Sequence, residues 1–194
     1  MNTTLVKRLN RLVQDFFALV ANKNVDIYNE FSLQHELGCF LRGELGPEYR
    51  VQFERPSNYF GIDSKQLTKK EIDIAIIDTS SKAKAAIELK FPRNGQYPEQ
   101  MFKACQDILF LEELCTVGFY AGLFVIVADD SNFYSPKYKN DGIYSFFRGG
   151  IPIHGSIRKP TGKKDLEIHI EGTYSIQWAG VRDSLKYAVV SVQI

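Results

Sequence analysis

The spacing of hydrophobic residues predicts three long helices in the first two thirds of the chain. Apolar residues recur every three or four positions over residues 4–21, 32–45 and 99–114, which is the period of an amphipathic helix. Ser32 is suited to cap the second helix, and Gly46-Pro47 to end it. The N-terminal helix would pack on the domain or against a second copy of the chain.

Short runs rich in β-branched residues predict strands between these helices, at residues 49–54, 71–78 and 85–91. The polar residues 79–84 between the last two strands indicate a hairpin turn. The run at 120–128 is apolar throughout, which is typical of a strand covered on both faces. We expect it to lie parallel to an earlier strand, with the third helix as the crossover.

The composition changes after Asp129-Asp130, where Tyr, Phe, Gly, Pro and Lys become frequent. Three later segments have strand patterns and would extend the same sheet or form a small β-lobe on it. We therefore predict a single α/β domain in which a mixed central sheet is flanked by helices. Its predicted parts are an N-terminal helix (1–24), a core (32–128) and a β-rich extension (129–194), with strands at 167–170, 173–178 and 187–193.

Charged residues interrupt the two central strands. Side chains alternate between the faces of a strand, so Asp73 shares a face with Ala75, and Glu88 and Lys90 share one with Ala86. Burying isolated charges is costly unless they are paired or bind a metal. A magnesium ion bound by Asp73 and Glu88, with Lys90 beside it, would offset that cost.

The pattern of Asp73 followed by Glu88-Leu-Lys90 resembles the D…(D/E)-x-K signature of the PD-(D/E)XK nucleases, the restriction-endonuclease-like superfamily. Ile72 stands where the family's name has a proline. From about Ser32 to Val127 the predicted order is also similar: a helix with a glutamate, a strand, the Asp strand, the (D/E)-x-K strand and a long helix. The resemblance implies a restriction-endonuclease-like fold and a Mg²⁺- or Mn²⁺-dependent nuclease.

The resemblance also implies roles for the signature residues. Asp73 and Glu88 would bind the metal, together with the backbone carbonyl of Leu89. Lys90 would orient or deprotonate the attacking water, or neutralise charge in the transition state. Magnesium prefers oxygen ligands and binds through one or two carboxylates, so the residue types suit this chemistry.

Residues on the two predicted flanking helices would complete such a site. Glu36 is the candidate for the helical glutamate that binds a metal directly or through water, and Glu30 is the alternative. Glu54 ends a strand and would approach the same pocket or form a salt bridge with a neighbouring arginine. On the third helix, Gln106 is the candidate polar residue near the scissile phosphate, and Lys103 is its competitor.

The net charge of +1 gives no global basic field, so nucleic-acid binding would depend on local basic patches. Lys69 and Lys70 precede the Asp strand, and Arg93 follows the Lys strand. DNA is the expected partner ahead of RNA, and cleavage of both strands would favour a homodimer. A further basic cluster lies among aromatic residues that would stack on unpaired bases: Arg148, Arg158, Lys159, Lys163 and Lys164.

Two alternatives to a nuclease stay open. One is a non-catalytic member of the superfamily that serves as a scaffold for nucleic-acid or protein binding. The other is a chance signature in an unrelated α/β interaction module, where Glu88 and Lys90 would be exposed. The three scattered cysteines indicate buried free thiols and a cytoplasmic setting, and no apolar run is long enough to cross a membrane.

Overall fold

A computed structural model describes residues 2–93, 95–162 and 165–193 of the chain. The helices are α1 (Asn2–Ala21), α2 (Glu30–Leu45), α3 (Tyr97–Thr116), α4 (Ser131–Tyr134) and α5 (Tyr144–Arg148). The strands are β1 (Tyr49–Pro56), β2 (Glu71–Asp78), β3 (Lys84–Lys90), β4 (Ala121–Ala128), β5 (Ile153–Arg158), β6 (Glu167–Tyr174), β7 (Ala179–Arg182) and β8 (Leu185–Val192). Short 3₁₀ turns cover Ser57–Phe60 and Ser64–Gln66.

Six strands form one mixed sheet in the order β1-β2-β3-β4-β8-β7, and β5 pairs with β6 alone. The strands β3 and β4 are parallel, while the other neighbouring pairs are antiparallel. The predicted α/β class, the hairpin between β2 and β3, and the crossover through α3 are therefore confirmed. No helix among the described residues is long and apolar enough to cross a membrane.

The start of α2 is fixed by a capping box. The Asn29 side chain accepts a hydrogen bond from the Ser32 amide at 2.8 Å, and Ser32 Oγ accepts one from the Asn29 amide at 3.0 Å. This reciprocal arrangement satisfies amides that the first helical turn leaves free. The helix consequently begins at Glu30, two residues before the predicted start, so that Glu30 and Phe31 belong to its first turn.

Two hydrophobic clusters cover the two faces of the sheet. The side chains of α1 and α2 pack on one face, and those of α3, the β5–β6 hairpin and the short helices pack on the other. Every residue of β4 is buried, as its continuous apolar run predicts. The face under α3 is the one to which Asp73 and Glu88 belong, because Ala75 and Ala86 lie in that cluster.

The C-terminal extension combines both predicted alternatives. The strands β7 and β8 extend the central sheet, whereas β5 and β6 form a separate hairpin over α3. The buried carboxylate of Glu112 ties that hairpin to α3, accepting hydrogen bonds from the Gly172 amide at 2.6 Å and the Tyr174 hydroxyl at 2.9 Å. The predicted strand at 173–178 is wrong beyond Tyr174, where β6 ends.

Candidate active site

Asp73 and Glu88 are fixed side by side where the β2–β3 ladder ends. The last backbone pair of that ladder joins Ile74 and Ile87. Beyond it each carboxylate bonds to the opposite strand: Glu88 Oε1 accepts from the Asp73 amide at 3.2 Å, and Asp73 Oδ2 accepts from the Leu89 amide at 2.7 Å. Side-chain bonds thus replace the ladder and orient both acids.

A third acid, Asp107, reaches the same place from α3. It is 3% exposed, and Glu88 is fully buried. The ammonium of Lys69, from the loop before β2, pairs with Glu88 and lies 2.9 Å from Asp107 Oδ1 and 3.9 Å from Asp73 Oδ1. We call Asp73, Glu88 and Asp107 the carboxylate cluster. A lysine of this chain is therefore the cation at its centre.

Lys90 lies at the edge of the carboxylate cluster. Its Nζ is 3.2 Å from Asp107 Oδ2 and 3.4 Å from Glu30 Oε1. The other oxygen of Glu30 accepts from the Phe91 amide at 2.9 Å. Asp107 Oδ2 is buried and receives no hydrogen bond of good geometry from the described residues. The charge of this buried oxygen is consequently stabilised mainly by its ion pair with Lys90.

Burial and charge shift the pKa of these groups. Burial raises the pKa of Asp73 to about 6, against the opposing effects of Lys69 and the Leu89 amide. Burial and the charge of Asp73 raise the pKa of Glu88 well above its usual value. For Lys69 and Lys90, burial would lower the pKa, but the surrounding carboxylates outweigh it and raise the pKa of both. Both lysines are therefore ammonium ions at neutral pH.

A small pocket of about 100 Å³ adjoins Asp73 on the side of α2. Within it, the Gln34 amide group donates to Glu54 Oε1 at 2.5 Å and to the Asp73 carbonyl at 2.8 Å. Glu54 has a positive φ of 48°, a conformation that costs energy for a residue other than glycine. The pocket is lined by Glu30, Phe31, Gln34, Glu54, Asp73 and Leu89.

The structure does not bring Glu36 to the carboxylate cluster, so the expectation for this residue is corrected. Its carboxylate instead lies 3.3 Å from His35 Nδ1. Six helical positions separate it from Glu30, which corresponds to a rotation of roughly 120° around the helix axis. Glu30, the alternative, is the helical glutamate that contacts Lys90.

On α3, it is Asp107 rather than Gln106 that contacts Lys69 and Lys90. Gln106 is half-buried and forms no hydrogen bond with the cluster within the described part of the chain. Asp107 carries a sequence signal that the prediction overlooked: it falls on the buried stripe with Ala104 and Ile108, where an acid is unusual. Lys103 is exposed and lies near Lys90 in an open groove.

The predicted nucleic-acid contacts differ in their availability. Lys70 is exposed, Arg93 pairs with Asp129, and Lys69 is engaged by the carboxylate cluster. The expectation for Arg148 is corrected, because this residue is 8% exposed and its guanidinium donates to the carbonyls of Asn132 and Lys139. Lys163 and Lys164 lie outside the described residues. Of the predicted cations, Arg93 and Lys103 line the same open groove as Lys90.

The acids of the cluster suit a hard metal ion in type but not in their present arrangement. Carboxylate oxygens are the ligands that Mg²⁺ prefers. Across residues 2–93, 95–162 and 165–193, however, no three acidic, thiol or imidazole side chains are arranged to hold a metal ion. The Lys69 ammonium lies among the three acids, so a metal could bind between them only if Lys69 moved out.

Comparison of this chain with protein-family models, with curated proteins and with solved structures gave no match. The fold and the site together define an α/β protein with a mixed six-stranded sheet and a largely buried cluster of acids and lysines at the end of two central strands.

Proposed function

We propose that this protein is a Mg²⁺- or Mn²⁺-dependent nuclease with a restriction-endonuclease-like fold, acting on DNA ahead of RNA. One observation carries the proposal: Asp73 and Glu88 are locked side by side on adjacent strands, with Lys90 at their edge. The elements from α2 to β4 also follow the order that the resemblance to PD-(D/E)XK nucleases implies, which supports the proposal further. A homodimer would place two such sites on opposite strands of a duplex.

Each residue of the site would have its own role in catalysis. Asp73 and Glu88 would hold the metal, with the Leu89 carbonyl as a further ligand, and Asp107 would add negative charge nearby. When bound, the ion would polarise a phosphate oxygen and lower the pKa of a bound water. Lys90 is kept as an ammonium by Asp107 and Glu30, so its role would be to neutralise charge in the transition state rather than to act as a base.

The loop that carries Lys69 would have to move when the metal binds. That loop is tied to α3 through Glu113, whose carboxylate accepts hydrogen bonds from the Thr68 amide and hydroxyl, both at 2.6 Å. These bonds lie at the surface, where water can replace them at little cost. Release of Lys69 would therefore break these surface bonds and its own ion pairs with Glu88 and Asp107.

Lys69 also favours a second candidate function, a non-catalytic scaffold. Its ammonium already gives the three acids of the carboxylate cluster a partner, so the burial of Glu88 and Asp107 needs no metal ion. In a scaffold the cluster would be a structural ion-pair network, and such networks are compatible with a folded core when every charge is paired.

A cleavage assay on linear, circular, single-stranded and branched DNA and on RNA separates the two candidates. We expect cleavage with Mg²⁺ or Mn²⁺ that is lost in EDTA and in the Asp73→Asn and Lys90→Ala variants. Glu36→Gln is the matched control, because it neutralises an acid of α2 that lies outside the cluster, and it should retain activity. Wild-type protein that binds a substrate equally in EDTA and cleaves none would support the scaffold instead.

A further inference from the structure

An open groove of about 470 Å³ runs from Lys90 to the protein surface. It lies between the first turn of α2, the segment after β3 and the first turns of α3. Lys90 and Glu30 belong both to this groove and to the site described above. A molecule bound in the groove would therefore reach the carboxylate cluster. Phe31, Arg93 and Lys103 also line the groove.

Phe31 presents an aromatic ring to this groove. Its side chain is 78% exposed, and Tyr28, three residues earlier, is 65% exposed. A single exposed apolar residue is ordinary, but Phe31 lines both the groove and the pocket beside Asp73. The capping box at Asn29 and Ser32 fixes the helical turn that bears it. The ring thus stands on a rigid element at the mouth of the site.

Cations flank the ring. Lys103 is exposed in the groove and forms no ion pair with any residue that the structure describes. Arg93 pairs with Asp129, yet its side chain is 44% exposed. The acid facing the groove, Glu30, is engaged by Lys90 and by the Phe91 amide. An aromatic face beside the exposed Lys103 and the partly exposed Arg93 suits a nucleotide, whose base stacks and whose phosphates bind the cations.

We propose that Phe31 stacks on an unpaired base, so that the preferred substrate is single-stranded or locally unpaired nucleic acid. In an intact duplex both faces of a base are covered by its neighbours, and no face is free for Phe31. The phosphates on either side of the stacked base would contact Lys103 and Arg93. The inference rests on the proposed function, since it takes the carboxylate cluster as the reaction centre, but the binding itself needs no metal.

The test measures binding in EDTA, where no cleavage occurs. An oligothymidylate of about 15 nucleotides and a blunt hairpin duplex are titrated against wild-type protein and the Phe31→Ala variant. We expect Phe31→Ala to weaken single-strand binding by about tenfold or more, the range of one base–aromatic stack, and to leave duplex binding unchanged. Tyr59→Ala is the control, because Tyr59 is 50% exposed but lies outside the groove.

A Phe31→Trp variant gives a direct readout of stacking. Its added fluorescence, above that of the single native Trp178, should be quenched by the oligothymidylate and not by the duplex. Equal binding by wild-type protein and Phe31→Ala, or no quenching in Phe31→Trp, would overturn the inference. Such a result is distinct from failure of the nuclease proposal, which would show as single-strand binding through Phe31 without cleavage when Mg²⁺ or Mn²⁺ is added.

Discussion

Replacing Lys69 with methionine removes the cation at the centre of the carboxylate cluster while keeping a side chain of similar length. Glu88 is fully buried and Asp107 nearly so, and both would lose their closest positive charge. Removing one partner of a buried ion pair typically destabilises a protein by about 3–5 kcal/mol. For a chain of this size, that loss lowers the Tm by roughly 6–20 °C.

The same substitution should strengthen metal binding. In wild-type protein a metal ion must displace Lys69 and therefore forfeits the energy of its ion pairs. In Lys69→Met that cation is absent, and Asp107 keeps its ion pair with Lys90. A difference of about 3–5 kcal/mol corresponds to roughly a hundred- to several-thousand-fold in affinity. Metal that binds only the folded state raises its stability with concentration, so Mn²⁺ should raise the Tm of the variant more than that of the wild type.

The pH dependence gives this prediction a second test. Asp73 has an ordinary pKa of 3.8 and a folded pKa of about 6, so the folded state binds its proton more tightly. Its contribution to stability is present below the lower value and is lost as pH rises through the higher one. Without Lys69 to offset the resulting charge, the Tm deficit of Lys69→Met should widen as pH rises through this window.

Thermal unfolding of wild-type, Lys69→Met and Lys70→Met proteins, in EDTA and in Mn²⁺ and in EDTA across this pH window, measures all of these effects. Lys70 is the neighbouring exposed lysine, and its variant should behave like the wild type. A Lys69→Met protein that is as stable as wild type in EDTA would refute the view that Lys69 neutralises buried acids. A metal-induced rise in Tm no larger than that of the wild type would refute the competition between Lys69 and the metal.

Three further predictions concern the fold. Glu112→Ala leaves the Gly172 amide and the buried Tyr174 hydroxyl of the β5–β6 hairpin without this acceptor, and urea unfolding should show a loss of about 1–3 kcal/mol; full stability would exclude this anchor. Gly122→Ala places a Cβ 2.8 Å from Leu111 in the core and should cost about 1–3 kcal/mol, whereas Gly180→Ala, with open space around it, should be nearly neutral. A thiol reagent should modify exposed Cys39 rapidly and the buried Cys105 only after unfolding; equal rates would contradict the packing of α3.

The elements of the core could be predicted because their patterns are local. A continuous apolar run predicts the buried strand β4, and a short polar segment predicts the turn between β2 and β3. In that turn, hydrogen bonds from the Ser81 and Ser80 amides hold the pKa of Asp78 below its usual range. The expectation of three buried thiols was wrong for Cys39, which is exposed on α2, because the apolar stripe of that helix faces the sheet at other positions.

The rest of the site depended on contacts that no local pattern encodes. Lys69 looked like a surface lysine near a strand, and only the packing of its loop against α3 brings it to Glu88 and Asp107. The sequence analysis preferred Glu36 to Glu30 because it started α2 at Ser32. The Asn29 cap instead places Glu30 in the first helical turn, where it contacts Lys90. The basic residues around Arg148 in the sequence do not indicate that its guanidinium donates to the carbonyls of Asn132 and Lys139.

We propose that Asp73 and Glu88 form a metal site from which Lys69 can be displaced. Anomalous scattering from crystals of the protein soaked in Mn²⁺ would test this. We expect an anomalous peak between the carboxylates of Asp73 and Glu88, with the Lys69 ammonium moved away from both. Saturating Mn²⁺ with no peak there, and with Lys69 still paired to Glu88, would contradict the metal-dependent nuclease and leave the scaffold.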